Sequence, residues 1–341
     1  MQPPYRADVA FQTVKAWVAR EFGGPESLRF EDIEPAEPND GAVRIAVRAA
    51  SINFPDVLMI AGLYQVKPAL PFVPGVEVSG VVESAPEGSG FAKGDRVMAL
   101  VDNTSLTRGG FAEQCDGSPR SLTRIPEGMP FDEAAAFTLV FQTGWFGLHR
   151  RANLQAGETL LVHAGAGGVG SAAIQLGKAA GATVIATAGS DEKVEVCKRL
   201  GADHALNYKT ADFVDVVKSI TGGRGADVIY DPVGGDVYDR STKCIAFEGR
   251  LVVVGFTSGR IAQAATNHVL IKNYSVVGLH WGLYTKRAPE LTAAAMHTLF
   301  ELYAAGKIKP YISKRLPLEE APAALAVVGG GKSTGKVVLQ T

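Results

Sequence analysis

The sequence predicts an α/β protein in two parts, a mostly antiparallel β region followed by a doubly wound parallel sheet. Three observations predict it. Up to about residue 135, short stretches of alternating apolar and polar residues are broken repeatedly by Pro and Gly. From residue 158 onward, apolar runs alternate with helical segments, the pattern of parallel strands joined by crossover helices. Between the first two of those runs stands a glycine-rich turn, Gly165-Ala166-Gly167-Gly168-Val169-Gly170.

The elements follow in order. The opening residues, MQPPYRADVAFQTV, lack the basic-then-apolar order of an export signal and read as a frayed tail. Ala42–Arg48 alternates apolar and charged residues with the period of a half-buried strand. Gly75–Val82 and Asp95–Leu100 look similar. Asp132–Phe137 opens a helical stretch, its acids placed well for a helix N-terminus. TLLVHAG, TVIATAG, HALNY, ADVIYDPV, RLVVVGF and SVVGLH then read as successive strands. They are nearly continuous apolar runs, as expected where helices cover both faces. Helices are expected from Gly168, over Asp191–Leu200, over Ala211–Ile220 and near Asp236–Ile245. A helix over Leu291–Ala305 and a strand over Lys336–Leu339 close the chain, the tail returning to the β region. The expected division is 1–135 with 285–341, and 136–284.

Bulk properties narrow the function. The 341 residues carry 34 basic and 35 acidic side chains, a net charge of -1. That balance argues against a nucleic-acid partner, which calls for a basic stripe. No apolar run approaches the about 20 residues needed to span a bilayer. Cys115, Cys197 and Cys244 are scattered and odd in number. They offer no disulfide framework, and the expected compartment is the cytoplasm.

The turn at 165–170 satisfies G-x-G-x-x-G, follows a strand and opens a helix. In that context the motif binds a dinucleotide. Glycine lets backbone N–H groups approach a pyrophosphate, and the helix N-terminus adds partial positive charge. Val169, Ala173, Leu176 and Ala180 form a narrow stripe for packing that helix on the sheet. The alternative is a glycine-rich turn that binds nothing. The second strand ends at Gly189 without the Asp or Glu that accepts hydrogen bonds from a ribose 2′-OH. Ser190, Lys193 and Tyr208 instead offer a hydroxyl, a cation and a phenol. These suit a 2′-phosphate, so NADPH is the expected cofactor. The alternative is that Asp191 or Glu192 reaches the 2′-OH while Lys193 is a solvated helix charge.

Joined together, the segments Ser51-Ile52-Asn53-Phe54-Pro55-Asp56, Gly62-Leu63-Tyr64, Pro71–Glu77, Ala164–Gly170, Asn207-Tyr208, Asp231-Pro232-Val233-Gly234-Gly235 and Ser333–Val338 carry a wider resemblance. From Lys15 onward the chain resembles the medium-chain dehydrogenase/reductase superfamily, within its zinc-free NADPH:quinone oxidoreductase (zeta-crystallin-like) branch. The resemblance implies a GroES-like, mostly antiparallel β catalytic domain beside a doubly wound Rossmann sheet. The superfamily's zinc alcohol dehydrogenases place a cysteine in the first segment and Gly-His-Glu in the third. Here Asn53 stands near the first place and Gly75-Val76-Glu77 at the second. Val76 cannot ligate a metal, and three scattered cysteines cannot assemble a tetrahedral site. No metal is expected.

An acceptor that is already electrophilic is therefore implied, a quinone or an α,β-unsaturated carbonyl. The protein positions donor and acceptor and stabilises the new oxyanion. The resemblance points to Tyr64 as hydrogen-bond donor, with Asn53 and Asp56 in the active-site segment and Asn53 toward the nicotinamide. A second tyrosine common in the family is replaced by Leu58. Read without the resemblance, Tyr64 is a loop tyrosine with its hydroxyl in water. Further cofactor contacts implied are Thr143, Gly167, Gly168, Val169, Gly255, Phe256, Thr257, Leu279, Trp281 and Lys336. Core packing is the other reading of Phe256 and Trp281. Two rivals stand beside this function. One is an enoyl-thioester reductase using Tyr64 as acid, and the other an NADPH-binding protein without physiological turnover. A homodimer is implied, with RLVVVGF and SVVGLH as candidate edge strands.

Three signals are set aside. Gly329–Thr334 lacks the first glycine of a nucleotide-hydrolase phosphate loop, since Ala326 stands there. His149 and His163 show no metal spacing. Cys115 is a candidate thiol with nothing nearby in sequence to activate it.

Overall fold

The computed structural model describes residues 13–34, 41–102, 105–106 and 108–341. Most of the expected opening tail, residues 1–12, lies outside them. The chain divides into two compact units. One comprises 1–135, 315–331 and 338–341, the other 136–314 and 332–337.

In the first unit, β1 (Val14–Val18) and β2 (Arg29–Ile33) pair antiparallel. Then come β3 (Val43–Ile52), α1 (Phe54–Ile60), β4 (Glu77–Ser84), β5 (Arg96–Leu100), β6 (Gln114–Gly117), β7 (Leu122–Arg124) and α2 (Phe131–Ala135). Strands β3, β4, β5 and β7 pair antiparallel in that order, and β6 pairs β3. The start of β3 keeps the expected alternation. Val43, Ile45 and Val47 are buried, while Arg44 and Ala46 are only partly covered. The register sets Ser51 directly opposite Glu77.

The second unit opens with α3 (Thr138–Trp145) and alternates from there: β8 (Thr159–Val162), α4 (Gly168–Ala179), β9 (Thr183–Ala188), α5 (Asp191–Arg199), β10 (His204–Asn207), α6 (Phe213–Ile220), β11 (Ala226–Asp231), α7 (Gly235–Ser241), β12 (Ile245–Val253), α8 (Thr266–Lys272) and β13 (Ser275–Gly278). The sheet order is β10-β9-β8-β11-β12-β13, all parallel. This is the doubly wound sheet expected, built on the six apolar runs. The order reverses beside β8, so its C-terminal end lies at the switch point where ligands bind in such sheets.

The order corrects one expectation. RLVVVGF lies in β12, paired on both sides, and only SVVGLH, in β13, is an edge strand. Apolar character on both faces says nothing about lateral position. The packing of α4 is also broader than a stripe. Every residue from Gly170 to Gly177 is buried. Glycine makes this possible at two places: a Cβ at Gly177 would lie 2.5 Å from Leu160 on β8, and one at Gly144 would lie 2.7 Å from Leu176.

After α9 (Gly282–Arg287) and α10 (Pro289–Ala304), the chain forms β14 (Ile312–Pro317), α11 (Ala321–Gly329) and β15 (Lys336–Gln340). Residues 285–314 fall in the second unit, so the boundary expected at 285 lies inside it. The reason is the face of α10. Phe300 and Tyr303 pack on Phe137 at 5.7 and 5.9 Å between ring centroids. Gln142 of α3 also donates to the Thr292 carbonyl at 2.9 Å.

Candidate functional site

The glycine turn is built by contacts that tolerate no side chain at two of its glycines. A Cβ at Gly170 would sit 2.2 Å from the Ala164 carbonyl oxygen, and one at Gly165 would sit 2.9 Å from Cys197 Sγ. At Gly167 the space is open apart from Ala164 O at 3.2 Å. Gly165 and Gly170 thus shape the turn. Gly167, Gly168 and Val169 stay partly exposed at the start of α4. The Gly167 N–H donates to Ala164 O at 2.9 Å, and the helix dipole favours an anion at this end. The C-terminal segment closes on the same turn. Gly335 N–H donates to Ala166 O at 2.6 Å, and buried Lys336 lays its stem against Gly168.

The tip of β9 gathers a second group. A Cβ at Gly189 would lie 2.7 Å from the Tyr208 hydroxyl, so glycine here lets the phenol lie over the strand end. Ser190 caps α5, its Oγ accepting from Lys193 N–H at 3.3 Å. Burial, and then the nearby charge of Lys209, hold the Lys193 ammonium below the usual lysine range. Lys209 escaped the sequence reading. Parallel pairing of Asn207 with Ala188 carries the chain after β10 alongside the tip of β9. The acids that could serve a ribose 2′-OH are engaged. Asp191 accepts from Asn207 Nδ2 at 2.9 Å, and the Ser190 hydroxyl helps hold the exposed Glu192 below the usual carboxylate range, after its own backbone amide.

Behind the turn, His163 and Thr187 clasp the ends of β8 and β9. Ser241 Oγ donates to the Val237 carbonyl at 2.7 Å and so accepts from His163 Nε2 at 2.8 Å. Nδ1 is left to accept from Thr187 Oγ1 at 3.0 Å. This network assigns a neutral imidazole. Burial, reinforced by the Arg240 charge, pushes its pKa down to about 3. An unfolded histidine takes up a proton near 6.5, so the unfolded state binds more protons between about 6.5 and about 3. Stability is therefore full above 6.5 and falls as pH drops through that window. Urea unfolding should show a loss of about 2 kcal/mol between pH 7.5 and pH 5 from this group. His163→Gln should remove that part of the slope, and an unchanged slope would contradict the assignment.

The remaining second-unit positions are spread around the strand ends. Thr143 donates back to Leu139 O at 2.6 Å within α3. Gly255-Phe256-Thr257 follows β12, with Thr257 Oγ1 donating to Pro232 O at 3.1 Å. Phe256 is exposed against Gly234, which separates it from core packing. Leu279 and Trp281 are buried, and Trp281 Nε1 donates to Gln142 Oε1 at 3.3 Å. Trp281 thus has the features of a core residue.

The first unit holds a separate polar cluster. Asn53 Nδ2 donates to Ser51 O, Ser51 Oγ and Glu77 Oε2, each at 3.2 Å, while Ser51 Oγ donates to Glu77 Oε2 at 2.6 Å. Asp56 accepts from Asn53 N at 2.8 Å and from Val76 N at 3.0 Å. All four side chains are buried. The Asn53 amide is therefore turned inward, and Asp56 ties the start of α1 to the segment before β4. Ser51 and Glu77 were absent from the expected set. Tyr64 is partly exposed on the following loop. Burial, then the Asp56 charge, push its phenol above the usual tyrosine range. It stays protonated, as a donor must.

Among the described residues, no group of three or more His, Cys, Asp and Glu is placed to hold a metal ion. Cys115 is buried, and burial pushes its thiol up, in keeping with the absence of any activating group near it in sequence. No helix among the described residues is long and apolar enough to cross a membrane.

A mostly antiparallel β unit preceding a doubly wound parallel sheet with a glycine turn is the architecture of a two-unit dehydrogenase or reductase. Residues 39–131 match the alcohol dehydrogenase GroES-like domain, and residues 168–297 match the zinc-binding dehydrogenase model. The chain is 39% identical over 333 residues to the quinone oxidoreductase-like protein 2 homolog of Nematostella vectensis, covering 97% of this chain and 90% of that protein. It is 33% identical over 322 residues to human quinone oxidoreductase, covering 94% and 95%. The crystal structure of Escherichia coli quinone oxidoreductase complexed with NADPH matches with a TM-score of 0.86 at 30% identity, covering 96% of this chain and 100% of that chain. The chain belongs to the zinc-free quinone oxidoreductase family of the medium-chain dehydrogenase/reductase superfamily. Val76 and the missing cysteines explain how it can match a model with a zinc-binding name while lacking the ligands.

Proposed function

We propose that the chain is an NADPH-dependent, zinc-independent oxidoreductase that transfers a hydride to quinones or α,β-unsaturated carbonyls. The observation that carries the cofactor choice is the pair Lys193 and Lys209 beside Ser190 and Tyr208. The Lys209 charge adds to burial in holding the Lys193 ammonium below its usual range. An anion beside them relieves that repulsion, and a 2′-phosphate supplies one. The open space at Gly167 fits a pyrophosphate on the amides of Gly168 and Val169. Gly255, Phe256, Thr257, Leu279, Thr143 and Lys336 are assigned to the cofactor on the family resemblance. NADPH, when bound, supplies the hydride.

Tyr64 then donates a hydrogen bond to the oxygen that gains charge, and solvent supplies the proton. Asp56 and Asn53 position the start of α1, and with it the segment that leads to Tyr64. Lys193→Ala tests the cofactor reading. KM for NADPH should rise about tenfold, the worth of one charge-assisted hydrogen bond, with KM for NADH little changed. An equal effect on both would contradict it.

The same proposal includes a homodimer and a place in the cytoplasm. β13 is an unpaired sheet edge, and Leu270 and Ile271 on α8 are exposed large apolar residues. Such an edge is a template for pairing with a second copy. Sedimentation should show a dimer that Leu270→Glu with Ile271→Glu converts to a monomer. A monomeric wild type would remove this part.

A further inference from the structure

Among the described residues of the first unit, the exposed large apolar side chains lie on two segments that meet at Gly62, the loop after α1 and the turn carrying Phe22. Leu63, Val66 and Leu70 lie on the loop after α1, at 74%, 52% and 38% exposure, and Phe22 is 40% exposed beside them. The grouping is built in. Gly62 has a φ of 67°, and a Cβ there would lie 2.9 Å from Phe22 Cγ, so glycine is needed for the ring to rest on this turn. Gly23 N–H donates to Ile60 O at 3.0 Å, and Leu63 N–H to Leu58 O at 2.8 Å, which fasten both segments to the end of α1. Lys67 is the single charged residue in LYQVKPAL. Tyr64 sits within this stretch.

Singly scattered apolar residues need no explanation, but a cluster does. Four side chains make too small a face for a stable protein interface, which takes about 20 residues a side. They suit the chain of a small ligand. We propose that Phe22, Leu63, Val66 and Leu70 bind an apolar tail on the acceptor, and that the preferred substrates carry an alkyl or prenyl chain beside the reducible group. This rests on the reading of Tyr64 as the residue that meets the acceptor.

The test uses one head group with and without a tail: 2,3-dimethoxy-5-methyl-1,4-benzoquinone and its 6-decyl derivative. Both NADPH oxidation and quenching of tryptophan fluorescence are followed in the full chain. The decyl compound should be favoured at least about tenfold in kcat/KM and in binding, as burial of several methylenes implies. Leu63→Ser with Val66→Ser should bring that ratio close to one. Phe247→Ser, an equally apolar and exposed site in the second unit, should preserve it. No tail preference in the wild type, or an unchanged ratio in the double variant, overturns the inference. So does a double variant that instead loses self-association or vesicle binding. If neither quinone is reduced, the reductase reading fails. Tail-dependent binding that the double variant abolishes would still uphold the surface, and equal binding would overturn it.

Discussion

Tyr64→Phe is expected to lower kcat for quinone or enone reduction about 100-fold, the usual cost of removing one donor to a developing oxyanion. KM for NADPH should stay near its wild-type value. The variant deletes one oxygen and keeps the ring, so packing of the loop is retained. The phenol suits the task for two reasons. Burial and the Asp56 charge hold it protonated at neutral pH, and no hydrogen bond to the described residues competes for its proton. The kcat profile should accordingly show no alkaline fall from Tyr64 in the physiological range. Unchanged kcat in the phenylalanine variant would mean that the hydroxyl faces water and that the oxyanion is stabilised elsewhere.

Gly170→Ala and Gly167→Ala should separate the two roles of glycine in one turn. At 170 the new methyl would meet backbone on two sides, Ala164 O at 2.2 Å and Gly165 Cα at 2.8 Å. Neither can yield without opening the turn, and Ala164 already has a φ of 49° there. We expect a loss of about 3 kcal/mol or more in urea unfolding, together with loss of nucleotide binding. At 167 the backbone is extended, and the one neighbour a new methyl would meet is Ala164 O at 3.2 Å. Alanine should fold normally but occupy the room that a pyrophosphate needs. Its stability should match wild type while NADPH affinity falls severalfold or more. Equal stability of both variants would contradict the assigned contacts, and undiminished NADPH binding by Gly167→Ala would move the pyrophosphate elsewhere.

Much of the fold was legible because its signals are local. Six apolar runs flanked by helical segments became β8 to β13, and the glycine turn lies between β8 and α4. What was hidden depends on register and lateral order. RLVVVGF and SVVGLH look alike in composition, yet only the latter is an edge. Lys209 stands well along the sequence from Lys193 and joins it only because β10 runs parallel to β9. Ser51 and Glu77 face one another across β3 and β4, a pairing that no spacing rule reveals. The boundary expected at 285 fell inside the second unit because the aromatic face of α10 was not read as a match for α3. Asn53 and Asp56 were singled out from their segment alone. Their hydrogen bonds point inward, because the burial of Asp56 and Glu77 is set by tertiary packing that the segment alone does not display.

The most direct test is oxidation of NADPH and NADH by the purified protein against an ortho-quinone, a para-quinone, a simple enone and an enoyl-CoA. Rapid turnover with NADPH and a quinone or enone, and slow turnover with NADH, is the predicted result. Equal use of NADH would contradict the roles of Ser190, Lys193, Tyr208 and Lys209. NADPH binding without reduction of any acceptor on the panel would contradict the account of hydride transfer itself.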